Sequence, residues 1–294
     1  MKVLVTGIKG QLGYDVMNEL TKRGHEAIGV DVEEMNLTDP LMIEQCMNAH
    51  KPEAVIHCAA WTAVDAAEDP ANQDLVYSVN VEGTKKIAQM CQQLHCKMLF
   101  LSTDYVFDGQ GATPWDPDCK NYSPLNVYGK TKLLGEEAVA SQLEQYFIVR
   151  IAWVFGKNGN NFIKTMLKIG QNHEQLKVVS DQIGTPTYTF DLARLLVDMI
   201  ETDRYGYYHA TNEGGYISWY DFSVEIFRQA ATLGHTEYSP EHLQILPVTT
   251  QEYGQSTALR PFNSRLDKSK LTKEGFTLLP PWQDALQRYL KDIL

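Results

Sequence analysis

No apolar run in the chain extends beyond a few residues, so no segment reaches the ~20 residues that a membrane-crossing helix needs. Positive charge is also scarce. Twenty-six Lys and Arg stand against 37 Asp and Glu, a formal net charge of −11 at pH 7. The basic residues are interspersed and form no stripe, which excludes nucleic acid and anionic membranes as partners. Cysteine is sparse and odd in number: Cys46, Cys58, Cys91, Cys96 and Cys119 include no CxxC pair. A disulfide framework is therefore not expected, and reduced thiols in the cytoplasm are. The chain turns at Gly7 before an apolar signal region can form, so no secretory leader is expected. The eight histidines show no zincin spacing, and His57-Cys58 and His95-Cys96 read as packing pairs rather than zinc ligands.

What remains is 294 residues, 44% of them apolar, enough for one large domain or a domain with a smaller lobe. Short apolar runs at 2–6, 26–31, 54–59, 98–102 and 147–152 read as buried strands. Helical patterns at 11–23, 40–49, 71–94 and 128–143 separate them. That alternation predicts an α/β fold, a doubly wound parallel sheet of Rossmann type. Beyond residue 155 the rhythm changes. Helices are expected over 162–170, 190–200 and 219–233, the last capped by Ser218, and from 281 onward. Strands are expected at 176–180, 207–211 and 244–248, with a turn at 184–187. The division predicted is 1–155 for the dinucleotide and 156–294 mainly for the substrate, some elements of the second part returning to the first sheet.

The first strand runs into Gly7-Ile8-Lys9-Gly10-Gln11-Leu12-Gly13, a GxxGxxG loop that opens a helix. Gly7 provides the tight turn, Gly10 lets backbone amides approach a pyrophosphate, and Gly13 allows close helix–strand packing. Asp31 ends the second strand, where a carboxylate accepts the adenosine ribose hydroxyls and disfavours a 2′-phosphate. Lys9 pulls the other way, since its ammonium suits a 2′-phosphate. Both NADPH and NADH stay open.

Two further segments carry chemistry. Ser102-Thr103-Asp104-Tyr105 follows the fourth strand, where such sheets present ligand groups. Tyr128 and Lys132 share one helix face at i, i+4. At ~5 Å and an effective dielectric of ~20, an ammonium favours a phenolate by roughly 3 kcal/mol, lowering its pKa by about 2. The phenol then becomes useful as an acid near neutrality.

Together with NVEGT at 80–84, these motifs resemble the extended short-chain dehydrogenase/reductase superfamily. TAVDAAE at 62–68, SPLNVYGKTK at 123–132, WVF at 153–155, GNNF at 159–162 and RPFNSR at 260–265 narrow it. With them the chain resembles the dTDP-4-dehydrorhamnose reductase family over nearly its whole length. The resemblance implies reduction of a nucleotide-linked 4-keto-6-deoxy sugar, with Tyr128 as acid, Lys132 on the coenzyme ribose and Thr103 beside the carbonyl or the phenol. It implies coenzyme contacts at Gly10, Gln11, Leu12, Asn36, Leu37, Ala59, Ala60 and Trp61, and a sugar pocket shaped by Asp104, Tyr105 and Trp153. Arg260 becomes a partner for the diphosphate, against the alternative of a core-edge arginine.

Some members form a magnesium-bridged dimer. Here Asp15 and Asp292 offer two carboxylates but Phe190 stands at the third position, so no metal is assigned and the assembly is expected to be a monomer or homodimer. Two rival readings are a nucleotide-sugar epimerase, dehydratase or other reductase of the superfamily, and a coenzyme-binding regulatory subunit resembling that of methionine adenosyltransferase. The compact tail and RPFNSR argue against the first. The retained Thr103, Tyr128 and Lys132 argue against the second.

Overall fold

Short β-branched runs that alternate with amphipathic segments cannot pair as hairpins, because each helix carries the chain back before the next strand begins. The computed structural model describes residues 1–294. It begins with β1 (Lys2–Thr6), α1 (Gln11–Lys22), β2 (Glu26–Val30), α2 (Pro40–His50) and β3 (Ala54–His57). There follow α3 (Val64–Ala67), α4 (Pro70–Tyr77), α5 (Thr84–Leu94), β4 (Lys97–Thr103), α6 (Val127–Gln142) and β5 (Tyr146–Ile151). The next elements are β6 (Val154–Phe155), α7 (Phe162–Gly170), β7 (Gln175–Val179), β8 (Ile183–Gly184), β9 (Thr187–Tyr188), α8 (Thr189–Ile200) and β10 (Gly206–His209). The chain closes with β11 (Asn212–Glu213), β12 (Ile217–Ser218), α9 (Trp219–Thr232), β13 (Gln244–Val248), α10 (Thr250–Tyr253), α11 (Ser269–Lys273), β14 (Leu279–Pro281) and α12 (Trp282–Ile293).

Six strands make one sheet in the order β10-β5-β4-β3-β1-β2, every pair parallel. Strand order reverses between β1 and β3, and the carboxyl ends of strands at such a switch point open a crevice. This is a Rossmann-type doubly wound sheet. Side chains alternate across it with period two. Val3 and Val5 enter a core with Val16 and Leu20 of α1 and Leu192 and Leu196 of α8. Leu4 enters the opposite core with Ile43, Ile87 and Phe100. Each such fully buried side chain contributes ~1.5–3 kcal/mol. A third core, rich in aromatics, joins Phe155, Tyr188, Phe222, Trp282 and Tyr289. Although α8 and β10 come late in the chain, α8 covers one face of the sheet and β10 pairs with β5 at its edge.

Two expectations change. The single helix over 71–94 is α4 and α5 joined by a π turn at Ser78–Gly83. The turn brings Gly83 onto the Leu37 carbonyl, where an added Cβ would lie 2.7 Å from the oxygen. It also faces Asn80 inward. The turn expected at 184–187 is instead extended, because β8 pairs with β12 and β9 with β6. Distant strands straighten a segment whose Gly-Thr-Pro-Thr sequence alone favours bending.

Candidate active site

The glycine loop is shaped by contacts that tolerate no side chain. Gly7 sits at φ +69 against Ala59, and a Cβ on Gly13 would collide with the Gly7 carbonyl. Helix α1 then begins at Gly10 with no side chain capping it, so its N-terminal amides point outward from the crevice floor. The loop is braced from the C-terminal half. Asn158 donates to the Lys9 carbonyl at 2.7 Å, and Asn161 donates to Gln11 Oε1 at 3.0 Å while its own Oδ1 caps α7. A glycine cradle and an uncapped helix end are what a dinucleotide pyrophosphate needs, and the residues present fit it.

A cleft of ≈ 750 Å³ extends from this loop across the ends of β2, β3, β4 and β5. It is lined by Gly7, Gly10, Gln11, Leu12 and Gly13; by Asp31, Asn36 and Leu37; and by Ala59 and Ala60. Thr103, Asp104, Tyr105, Tyr128, Lys132 and Trp153 line its other end. Residues far apart in sequence are thus brought to one crevice. Trp61 and Arg260 lie outside the lining. The Trp61 indole donates to the Ala63 carbonyl at 3.1 Å. Arg260 is paired in two-pronged fashion with Asp65, at 3.1 and 2.5 Å, and Asp65 also accepts the amides of Thr257 and Ala258. In the same motif Glu68 accepts the amide of Val127 at 2.7 Å, so TAVDAAE fastens both the 257–260 segment and the start of α6.

Helix α6 starts cleanly because Asn126 caps it, accepting from the amide of Gly129 at 2.8 Å. Gly129 packs directly on the Tyr105 backbone, which leaves no room for a Cβ and brings the Tyr128 ring edge-on to Tyr105 at 5.8 Å. One turn on, Asn80 donates to Thr131 Oγ1 at 3.1 Å and accepts from the Trp61 amide at 2.8 Å. That residue of the π turn therefore ties α6 to the loop after β3, in keeping with where such turns cluster.

The expected electrostatics of Tyr128 are corrected here. Burial first, and then the Asp104 charge, hold its phenol above the ordinary value, while the Thr103 hydroxyl pulls it down. The Lys132 amine lies over a different ring, its Nζ 4.1 Å from the centroid of Phe100. Burial drives the Lys132 amine down to about 7, against the opposing influence of Glu136 and Cys58. The i, i+4 spacing puts both residues on one face, but the lysine reaches toward β4. His57 is packing, as its sequence position suggests: its ring lies between Thr6 at 2.7 Å and Thr84 at 3.1 Å, and burial lowers it to about 3.

Asp104 is 2% exposed; its Oδ1 accepts from Thr103 at 3.1 Å, and its Oδ2 has no partner. Burial pushes the carboxyl up to about 6, against the hydroxyls of Ser264 and Thr103. The folded value lies above the 3.8 of a free aspartate. Over that interval the native state holds a proton that the unfolded state has lost, so stability falls as pH rises from about 4 through 6. At ~1.4 kcal/mol per tenfold change in proton affinity, the loss comes to about 3 kcal/mol. Asp104→Asn is therefore expected to flatten the pH dependence of the urea midpoint between about 4.5 and 7.5 and to stabilise the ligand-free protein at the upper end. Equal shifts at both ends would place the pH response elsewhere.

Ser102 and Asn160, each inside a motif already singled out, also line the cleft, as do Cys58, which the sequence reads as packing, and Trp219, which it reads only as the start of a helix. Trp219 stacks on Trp153 with centroids 3.7 Å apart and planes at 15°. Trp153 holds this position at φ +50, an uncommon backbone for a bulky residue, with Gly184 leaving room for its ring. The Ser218 cap that starts α9 was legible; its reciprocal partner Asp221 and the stacking partner of Trp219, on another element, were not. Asp15 and Phe190, two positions of the metal-bridged dimer, lie apart from the cleft lining. Asp15 accepts from Thr189 at 2.5 Å, and Phe190 is 46% exposed.

A parallel sheet with a glycine loop at its switch point, and a Thr, Tyr and Lys across the crevice, define a protein of the extended short-chain dehydrogenase/reductase class. Residues 1–294 match the family described as the RmlD substrate binding domain. A dTDP-4-dehydrorhamnose reductase of Aggregatibacter actinomycetemcomitans is 38% identical over 294 residues, spanning 97% of this chain and 97% of that protein. The crystal structure of a dTDP-4-dehydrorhamnose reductase from Clostridium acetobutylicum superposes with a TM-score of 0.92 at 39% identity, covering 100% of this chain and 99% of that one. The Bacillus anthracis enzyme of the same name, solved in complex with NADP, gives 0.91 at 37% identity, over 99% and 100% of the two chains. The chain belongs to the dTDP-4-dehydrorhamnose reductase family.

Proposed function

We propose that this chain reduces the C4 keto group of dTDP-4-dehydro-β-L-rhamnose with NAD(P)H, giving dTDP-β-L-rhamnose. The observation that carries the reading is the meeting of Thr103, Tyr128 and Lys132 in the cleft that begins at the glycine loop. The loop residues Gly7, Gly10 and Gly13 hold the pyrophosphate, Asp31, Asn36 and Leu37 the adenosine, and Ala59, Ala60 and the Trp61 backbone the middle of the coenzyme. When bound, the coenzyme supplies the hydride. Tyr128 donates its proton to the C4 oxygen as negative charge develops there, and the Thr103 hydroxyl, turned from Asp104 Oδ1 to the same oxygen, donates a hydrogen bond to it. A reductase needs an acid that is protonated at rest, and a buried phenol with a raised pKa is one.

Ser102 Oγ and Asp104 Oδ2, buried without partners, suit sugar hydroxyls, because unpaired polar atoms are otherwise costly to keep. Trp153 and Tyr105 wall the sugar, and Arg260 keeps the diphosphate role that the resemblance gives it, reached from its seat on Asp65. Residues 1–155 serve the dinucleotide and 156–294 mainly the sugar nucleotide. No helix is long and apolar enough to cross a membrane. We place the enzyme in the cytoplasm, where its five free cysteines stay reduced, as a monomer or homodimer.

The test is to mix the purified protein with the dTDP-4-keto-6-deoxy-L-sugar and each reduced coenzyme, following loss of the nicotinamide's near-ultraviolet absorbance. Turnover supports the reading. Coenzyme binding without oxidation of either coenzyme would move it to the regulatory-subunit alternative or to another sugar nucleotide.

A further inference from the structure

The adenosine end of the cleft is unusual in its charge. The strand end after β2 reads Asp31-Val32-Glu33-Glu34, three carboxylates in four residues. Asp31 is fixed toward the glycine loop: its Oδ2 accepts the amide of Lys9 at 2.9 Å and its Oδ1 the amide of Val32 at 2.9 Å. Glu34 is folded back beside it, accepting the Asp31 amide at 2.9 Å. Among the residues that line the cleft, only Lys9 and Lys132 are cationic, and Lys132 belongs to the α6 end. Lys9 is thus the one positive side chain available to an adenosine 2′-substituent, and its Nζ is 2.5 Å from Glu33 Oε2.

We propose that Glu33, by occupying Lys9, reinforces Asp31 in making this site favour NADH over NADPH. The proposal rests on the reading of the cleft as a nicotinamide dinucleotide site and specifies which coenzyme that site takes. The two coenzymes differ only by a phosphate on the adenosine ribose, which brings a charge of about −1.5 to −2 at neutral pH. A 2′-hydroxyl can donate to Asp31. A 2′-phosphate cannot; it meets the Asp31 carboxylate in the lining, close in the chain to Glu33 and Glu34, with no arginine lining the cleft to receive it. Lys9 keeps further N–H donors, but Glu33 already offsets its charge and holds it away from a free approach to that phosphate. Both partners are more than half exposed, with side chains 62% and 65% accessible, so the pair is itself weak and screened by salt. Its effect is therefore a graded bias, with Asp31 supplying the larger share.

Calorimetric titration of the full chain with NADH and with NADPH, without sugar nucleotide, tests this directly. The expected Kd for NADPH is ~10-fold or more above that for NADH at low salt, the gap narrowing as salt rises. Glu33→Gln, on an exposed loop, should tighten NADPH by ~3- to 10-fold and leave NADH unchanged. That gain should vanish in the Lys9→Ala background, because the freed lysine is its source. Equal or tighter binding of NADPH by the wild type would overturn the proposal, as would a Glu33→Gln gain that survives without Lys9. If neither coenzyme bound, the reading of the cleft as a dinucleotide site would fail instead.

Discussion

Tyr128→Phe is expected to lower kcat by ~10²–10⁴ while the Kd for reduced coenzyme stays within about twofold of wild type. The substitution removes one hydroxyl and keeps the ring, so the edge-on contact with Tyr105 and the seat of Gly129 on Tyr105 are retained. What is lost is the proton for the C4 oxygen. The nascent alkoxide is a far stronger base than a phenolate, so a raised phenol pKa costs little in driving force and keeps the acid loaded at working pH. Lys132→Met behaves differently, weakening coenzyme binding as well as rate. In the ligand-free protein the Lys132 amine loses its proton as pH rises through about 7. The kcat/KM for coenzyme should accordingly fall above that pH in wild type and show no such limb in the methionine variant. Single-turnover mixing with a pH series separates the two roles. A phenylalanine variant with wild-type turnover would remove Tyr128 from the chemistry.

The parts of this molecule that local pattern encodes were legible. Short continuous apolar runs mark β1 through β5, an amphipathic run and a Ser218 cap mark α9, and the glycine spacing marks the loop that opens α1. What local pattern cannot carry is which distant strand a segment will meet. Thus 184–187, bent on its own chemistry, is straightened by β6 and β12, and β10 joins the sheet only because the edge of β5 is free. The site shows the same division. The positions of Thr103, Tyr128 and Lys132 were readable because each follows from one element and its register. The reach of Lys132 to Phe100, the Trp153–Trp219 stack and the Asp65–Arg260 pair were not, since each depends on two elements whose separation only the fold sets. RPFNSR shows how a motif can be recognised without its role being visible. Its Asn263 accepts from the Arg265 side chain and donates to the carbonyls of Gln110 and Thr113, bracing the loop beyond Tyr105.

Arg150→Met is expected to destabilise the protein by about 3–5 kcal/mol, the usual cost of leaving one member of a buried ion pair alone. Both Arg150 and Glu136 are 0% exposed. The guanidinium donates to both Glu136 oxygens at 2.8 and 2.7 Å, to Tyr122 at 2.8 Å and to the Pro117 carbonyl at 3.2 Å. It also lies 5.0 Å from the Phe107 ring centroid and 4.9 Å from that of Tyr207. One residue thus joins β5, α6 and the 117–122 segment behind the active site. Methionine fills much of the volume, but Glu136 is then buried without a counterion and must take up a proton to remain there. A carboxyl whose folded pKa is raised loses stability as pH climbs past its unfolded value, so the deficit should grow from about pH 5 to about pH 8. The double replacement Arg150→Met with Glu136→Leu removes the orphaned charge and is expected to recover most of the loss, since an apolar pair of similar volume substitutes well for a buried ion pair. Urea unfolding of the two variants at both pH values measures this. A pH-independent loss below ~1 kcal/mol for the single variant would mean that water reaches the pair. If the double variant regains stability but not coenzyme affinity, the pair also fixes Lys132, one turn before Glu136 on the same helix. Its carboxylate favours the charged amine against burial, so the element that holds α6 against the sheet would also set the charge of the residue that faces the coenzyme.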